Sequence, residues 1–122
     1  MRFTLDSTSN VNVIRGYAHG RLRINDETFT APLIVAAASL RAEPALGDVA
    51  GLTADHAARL LELEPELVLL GTGPQQVFPD ASFGARFLQS GIGFEVMNTG
   101  AACRTFNVLV SEHRRVVALL IP

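Results

Sequence analysis

Residues 91–109 read GIGFEVMNTGAACRTFNVL, and the fold turns on how this stretch divides. Ile92, Phe94 and Val96 alternate with Gly93 and Glu95, which gives a strand one apolar face. Asn98-Thr99-Gly100 breaks the alternation, and Thr99 is placed to cap a helix, its hydroxyl accepting from an orphan N–H one turn on. Ala102, Cys103, Phe106, Leu109 and Val110 then recur at helical spacing, with Arg104 and Ser111 largely on the other side. If the strand runs straight into this helix, Asn98 to Ala101 lie at free backbone donors and the positive end of the helix dipole. An anion can be held at such a place.

Working outward, Leu67 to Leu70 is a continuous apolar run, the mark of a strand buried on both faces. Gly71-Thr72-Gly73 then lets the backbone leave the strand sharply. Pro74 to Pro79 reads as loop. Asp80 caps a helix over Ala81 to Ser90, with Phe83 and Phe87 one turn apart and Gly91 at its end. Thr53 caps an earlier helix, Ala54 to Leu63, which buries Ala57, Leu60 and Leu61 and stops at Pro65. Downstream, Arg114-Arg115 lead into Val116 to Ile121, a second continuous apolar strand.

The first third has a different rhythm. Met1 to Asn10 is mostly polar after Leu5 and is expected to be loosely held. Val11, Val13 and Tyr17 begin a strand pattern, interrupted by Gly16. Leu22 and Ile24 alternate with Arg21 and Arg23, and Asn25-Asp26 reads as a tight hairpin turn. The partner strand starts at Glu27 and places Phe29, Ala31, Leu33 and Val35 on one face, with Pro32 marking an edge or a bulge. Ala42 to Leu52, with Pro44, Gly47 and Gly51, reads as loop. The expectation is one α/β domain over residues 1–122. It has three layers, a central largely parallel sheet flanked by helices, plus an N-terminal antiparallel β meander.

Composition removes several functions. Net charge is about −2 with no basic concentration, which argues against nucleic acid or an anionic membrane surface as partner. All ten basic side chains are arginine, so a lysine Schiff base and a P-loop are both out of reach. A single cysteine cannot close an internal disulfide, and a reducing compartment fits. Neither a secretory signal nor an apolar run long enough to span a bilayer is read, so the expected location is the cytoplasm.

Two readings of Cys103 stand side by side. Near a helix N-terminus and beside Arg104 a thiol ionises more easily; between Ala102 and Phe106 a cysteine is a small core hydrophobe. Gly71-Thr72-Gly73 follows a strand as a nucleotide-binding turn does, yet Pro74-Gln75-Gln76 completes neither GxGxxG nor a P-loop. The two loops still lie outside the carboxyl ends of predicted parallel strands, where open α/β sheets bind ligands. Strands about 4.8 Å apart would bring them into contact. His19, His56 and His113 have no metal-ligand spacing and read as surface histidines. Glu62, Glu64 and Glu66 read as a solvated shoulder around Pro65. Glu95, an acid within a strand, would need a partner such as Arg104 or Arg115 if its face were covered.

These residues carry a resemblance. Gly71-Thr72-Gly73, the run GIGFEVMNT, Ala102-Cys103-Arg104-Thr105, Asn107 and Arg115 before the last strand resemble a family of small domains of unknown function. Its members include the mitochondrial NADH dehydrogenase (complex I) assembly factor 3 and many short bacterial proteins. Asn98 stands where an aspartate is more usual, and the loop around Ala42 to Leu52 lacks the tryptophan common there. The resemblance implies a three-layer α/β fold with an extra antiparallel element, and no established activity or cofactor. It implies action through protein partners. The expected working surface is Gly71, Thr72, Gly73, Asn98, Thr99, Gly100, Cys103 and Arg104, with no catalytic residue, metal or cofactor assigned and the oligomeric state open. The alternative is a small-molecule or anion-binding protein, or a weak enzyme, using the same corner.

Overall fold

The computed structural model describes residues 11–122, so the expectation for Met1 to Asn10 lies outside the described residues. Among the described residues, two sheets and three α-helices make up the architecture. The smaller sheet is an antiparallel meander of β1 (Ile14–Ala18), β2 (Arg21–Ile24) and β3 (Glu27–Phe29). The larger sheet contains β4 (Leu33–Ala36), β5 (Ser39–Ala42), β6 (Leu67–Thr72), β7 (Gly93–Met97) and β8 (Val116–Ile121), in the order β5-β4-β8-β6-β7. Strands β8, β6 and β7 are parallel, and β4 lies antiparallel to both β8 and β5. The sheet is therefore mixed, with its parallel half where the helices cross over.

Alternation across the sheet makes two cores. Leu69, Ala118 and Leu120 face α3 (Thr99–Ser111) and the small sheet, packing with Ala102, Cys103, Phe106, Ile14, Leu22 and Ile24. Val68, Leu70, Val117 and Leu119 face the opposite way, onto α1 (Ala54–Leu61) and α2 (Ala81–Gln89). There Phe87 stacks on Phe94 with ring centroids 5.2 Å apart, and Phe83 meets both edge-on. Both β6 and β8 are buried on both faces, which is why each reads as an unbroken apolar run.

Two expectations need correction. The segment after Glu27 is not one strand. At buried Pro32, which has no N–H to give a ladder, the chain leaves the small sheet and enters the large one as β4. Ala42 to Leu52 is not all loop either: Ala42 ends β5, which pairs with β4 as an edge strand, and Val49–Gly51 forms one 3-10 turn capped by Asp48. The rest follows the local chemistry. Thr53 opens α1, with Thr53 N–H donating to His56 Nδ1 at 3.0 Å, a histidine standing where a capping-box glutamate usually reaches back. Asp80 caps α2 by accepting from Ser82 N–H, and these bonds hold its carboxyl below the usual aspartate range. Gly91 follows α2 with φ +75°, in the left-handed region that glycine tolerates.

Asparagines tie the small sheet to the rest of the fold. Asn107 on α3 donates to Ile14 O at 2.8 Å and accepts from Ile14 N at 3.0 Å, taking both hydrogen-bonding groups of one β1 residue. Asn12 donates to Ala36 O and Ser39 O, both at 2.9 Å, and so fastens the start of the meander to the β4–β5 hairpin.

Candidate functional site

The two loops singled out in the sequence do meet. Strands β6 and β7 are neighbours with Gly71 opposite Met97, so Gly71-Thr72-Gly73 and Asn98-Thr99-Gly100 leave the sheet side by side. Thr99 N–H donates to Gly73 O at 2.8 Å, and Thr99 Oγ1 accepts from Gly73 N at 2.7 Å. The same hydroxyl donates to Ile121 O at 2.6 Å. One fully buried side chain thus joins the ends of β6 and β8 to the start of α3.

This reassigns the cap. Asn98, extended at φ −64° and ψ 158°, is the capping residue, and its Oδ1 accepts from Ala101 N at 2.8 Å. Thr99 comes one residue too late for that role, and its hydroxyl points back across the sheet end instead. The consequence for anion binding is direct. Thr99 N–H is spent on Gly73 O, Ala101 N–H on the Asn98 side chain, and Ala102 N–H on Asn98 O, which leaves Gly100 N–H alone in this turn without an acceptor among the described residues. Space is spent as well. A Cβ on Gly71 would lie 3.0 Å from both Leu120 Cδ2 and Thr99 Oγ1, so glycine there is a condition of the close approach.

The corner holds a loop in place. Thr72 Oγ1 donates to Gln75 O and accepts from Val77 N at 3.0 Å, while Gln76 Nε2 donates to Val96 O at 2.9 Å. Residues 74–79 are thereby pinned at both ends, and Gly73 supplies the φ of +95° that starts them. What the loop displays is apolar: Phe78 is 71% exposed and Val77 49%, with Leu88 of α2 at 64%. Phe78 stands between two depressions. One, of about 640 Å³, is lined by Val49, Leu52, Val77, Phe83 and Arg86 among others; the second, of about 620 Å³, runs along Gly84, Leu88, Phe94 and Val96. Neither is lined by any of the eight residues the sequence put forward. Loop residues without periodicity carry no burial signal, so the display of Phe78 was invisible in the sequence.

The remaining expected residues divide by exposure. Gly71, Thr72, Gly73, Thr99 and Cys103 are buried; Asn98 and Gly100 are half-buried; Arg104 is exposed, with its Nη1 close to Gly100. Burial pushes the Cys103 thiol up to about 11, against a smaller opposing pull from Arg104. The sequence missed Tyr17, whose ring reaches Gly100; burial and the nearby Cys103 raise its phenol above the usual value. The expected polar cluster around Glu95 or Arg104 is not formed. Both are exposed and neither makes an ion pair among the described residues, because Glu95 lies on an edge strand where water can reach it. Of the acidic shoulder, Glu66 is engaged: it accepts from Arg115 N and pairs with Arg114 at 3.1 Å, and these contacts keep its carboxyl below the ordinary range. Glu43, by contrast, is buried between Arg41 and Arg59 at 3.3 and 3.5 Å, tying β5 to α1. Among the described residues no cluster of metal-ligating side chains occurs.

A mixed five-stranded sheet with helices on both faces, a small antiparallel sheet and a locked strand-end corner define the architectural class. Within it, residues 14–121 match the family described as "Protein of unknown function (DUF498/DUF598)", and the chain belongs to that family. It is 30% identical over 106 residues to the "13 kDa major membrane protein" of Francisella tularensis subsp. holarctica (strain LVS), covering 86% of each chain. It is 42% identical over 57 residues to NADH dehydrogenase [ubiquinone] 1 alpha subcomplex assembly factor 3 of Xenopus tropicalis, a match spanning 47% of this chain and 31% of that protein. Among solved structures, Xanthomonas campestris XCC1710 superposes with a TM-score of 0.82 at 34% identity, over 90% of this chain and 83% of that one. No helix of the described residues is long and apolar enough to cross a membrane.

Proposed function

We propose that this protein is a non-catalytic docking factor of the assembly type, and that it works by holding another protein rather than by transforming a substrate. The observation that carries this reading is the exposed strip of Val77, Phe78 and Leu88 beside two depressions. Large apolar side chains gathered at the surface mark interaction sites. Seven of the eight residues of the expected surface fit the reading in two roles, and the eighth, Cys103, is a buried core side chain. Gly71, Thr72, Gly73 and Thr99 set the loop that carries Phe78, and Asn98, Gly100 and Arg104 offer a polar margin at the same end of the sheet. The relation to assembly factor 3 supports a protein partner, within the third of that protein that the match spans. Spent N–H donors and the filled space at Gly71 weigh against the alternative of a small anion held at the corner.

The test compares tagged wild-type protein with a Phe78→Ser, Leu88→Ser variant in capture from the native host. The reading expects a partner that co-purifies with the wild type and is lost from the variant, while Arg104→Ala weakens it less. Identical captures from a variant that keeps the wild-type circular dichroism would sink it. We also propose a cytoplasmic location without membrane insertion. Fractionation of the host decides this, and recovery in the membrane pellet after a high-salt wash would count against it.

A further inference from the structure

Strand β7 is one edge of the large sheet. Gly93 N–H donates to Glu66 O at 3.1 Å, so Gly93, Glu95 and Met97 direct their backbone groups at β6, and Phe94 and Val96 direct theirs outward. Val96 O is taken by Gln76. Phe94 N–H, Phe94 C=O and Val96 N–H have no partner among the described residues. Side chains alternate the other way. Phe94 and Val96 turn toward α2, whereas Glu95 shares a face with Met97 and is exposed. Directly beside the open edge, on the Phe94 side, lies the second depression, floored by Gly84, Ala85 and Leu88. Among the described residues, the only ionisable ones that line it are the acids Asp80 and Glu95.

We propose that β7 receives an extended segment of a partner protein as a sixth strand. Alternate residues of that segment are apolar and enter the depression, and the residues between them are lysine or arginine and lie over Glu95. This rests on the docking reading above and names the chemistry of the partner. Backbone bonds to Phe94 and Val96 supply the pairing, and side chains of period two supply the choice. Charge weighs against a second copy as the occupant in the register that pairs the whole of β7. Antiparallel pairing of β7 with itself about its middle residue sets Glu95 against Glu95, and like charges directly opposite are destabilising. A basic strand turns that repulsion into attraction. Gln76 on Val96 O closes the loop-proximal end of the edge, which limits the register the incoming strand can take.

The experiment is amide-shift titration of the ¹⁵N-labelled protein with two capped seven-residue peptides that alternate leucine with lysine or leucine with glutamate. The lysine peptide is expected to shift Phe94, Val96, Gly84 and Leu88, and to bind roughly two- to fivefold more tightly than the glutamate peptide, the scale of a cross-strand charge pair. Glu95→Arg, at an exposed position, should reverse that preference while leaving the fold intact. Equal binding of the two peptides, no shift at Phe94 and Val96 at millimolar lysine peptide, or dimerisation that shifts β7 without peptide would each overturn the proposal. Shifts at Phe78 and Leu88 without shifts at Phe94 and Val96 would overturn strand addition alone. Captures unaffected by Phe78→Ser and Leu88→Ser would instead remove the docking reading itself.

Discussion

Thr99→Val is the most informative single substitution. Valine has nearly the shape of threonine, so the change removes a hydroxyl and little else. That hydroxyl accepts from Gly73 N at 2.7 Å and donates to Ile121 O at 2.6 Å, in a place with no access to water. Each buried group left without its partner costs about 1–3 kcal/mol. Two of them, less about 1 kcal/mol for an apolar methyl that replaces a hydroxyl, give a loss of about 1–5 kcal/mol. With an m-value of about 1.5 kcal/mol per M, the urea midpoint should fall by about 0.7–3 M. Thr99→Ser keeps both bonds and loses one methyl, so its cost should stay near 1 kcal/mol. Amide exchange adds a local readout: the Gly73 N–H, protected in the wild type, should exchange far faster in the valine variant. A valine midpoint within 0.3 M of wild type, a bound set at about a tenth of the expected ΔG, would show that the hydroxyl does not hold the corner.

Other substitutions separate structure from function. Cys103 should resist thiol reagents in the native state at pH 8 and become reactive only toward pH 11, since burial raises its pKa to about 11; labelling as fast as in the denatured chain would make it an accessible thiol. Because the unfolded thiol ionises near its ordinary value of about 8.5 and the folded one later, the Cys103 contribution to stability is complete below that pH and declines as pH rises. Cys103→Ala should flatten that alkaline decline. Arg104→Met should leave the free energy of unfolding within about 0.5 kcal/mol of wild type, as for other exposed positions, and a large drop would reveal an enclosed guanidinium. His56→Ala should cost about 1 kcal/mol through the lost helix cap, with His56→Glu restoring it; equal midpoints for all three would show that the cap contributes nothing.

Much of the fold was legible because its signals are local. The unbroken apolar runs of β6 and β8, the caps at Thr53 and Asp80, and the strand-to-helix passage through Asn98 need only a few neighbouring residues to read. What escaped depends on distant partners. The switch at Pro32 is visible as a proline but not as a change of sheet. The β4–β5 turn is built from Ala37 and Ala38, which lack the glycine or asparagine that announces a hairpin. At the candidate site, the closeness of the two loops followed from strand adjacency. The side chain that joins them was misassigned, since choosing between Asn98 and Thr99 as cap requires knowing what lies across the sheet end. Tyr17 joined the corner only through the packing of the small sheet on α3.

Strand β8 follows every other strand in the chain, yet it sits in the middle of the large sheet, between β4 and β6. During vectorial synthesis, β4–β5 and β6–β7 can each pair as they leave the ribosome, but nothing joins them until β8 arrives. Until then both carry an exposed, strongly apolar edge. Such delayed closure makes the partly made chain adhesive and slows folding, because the joining contacts are distant in sequence. A substitution within Val116 to Ile121 should therefore lower the yield of native protein during synthesis by more than the equilibrium stability of the molecules that do fold accounts for.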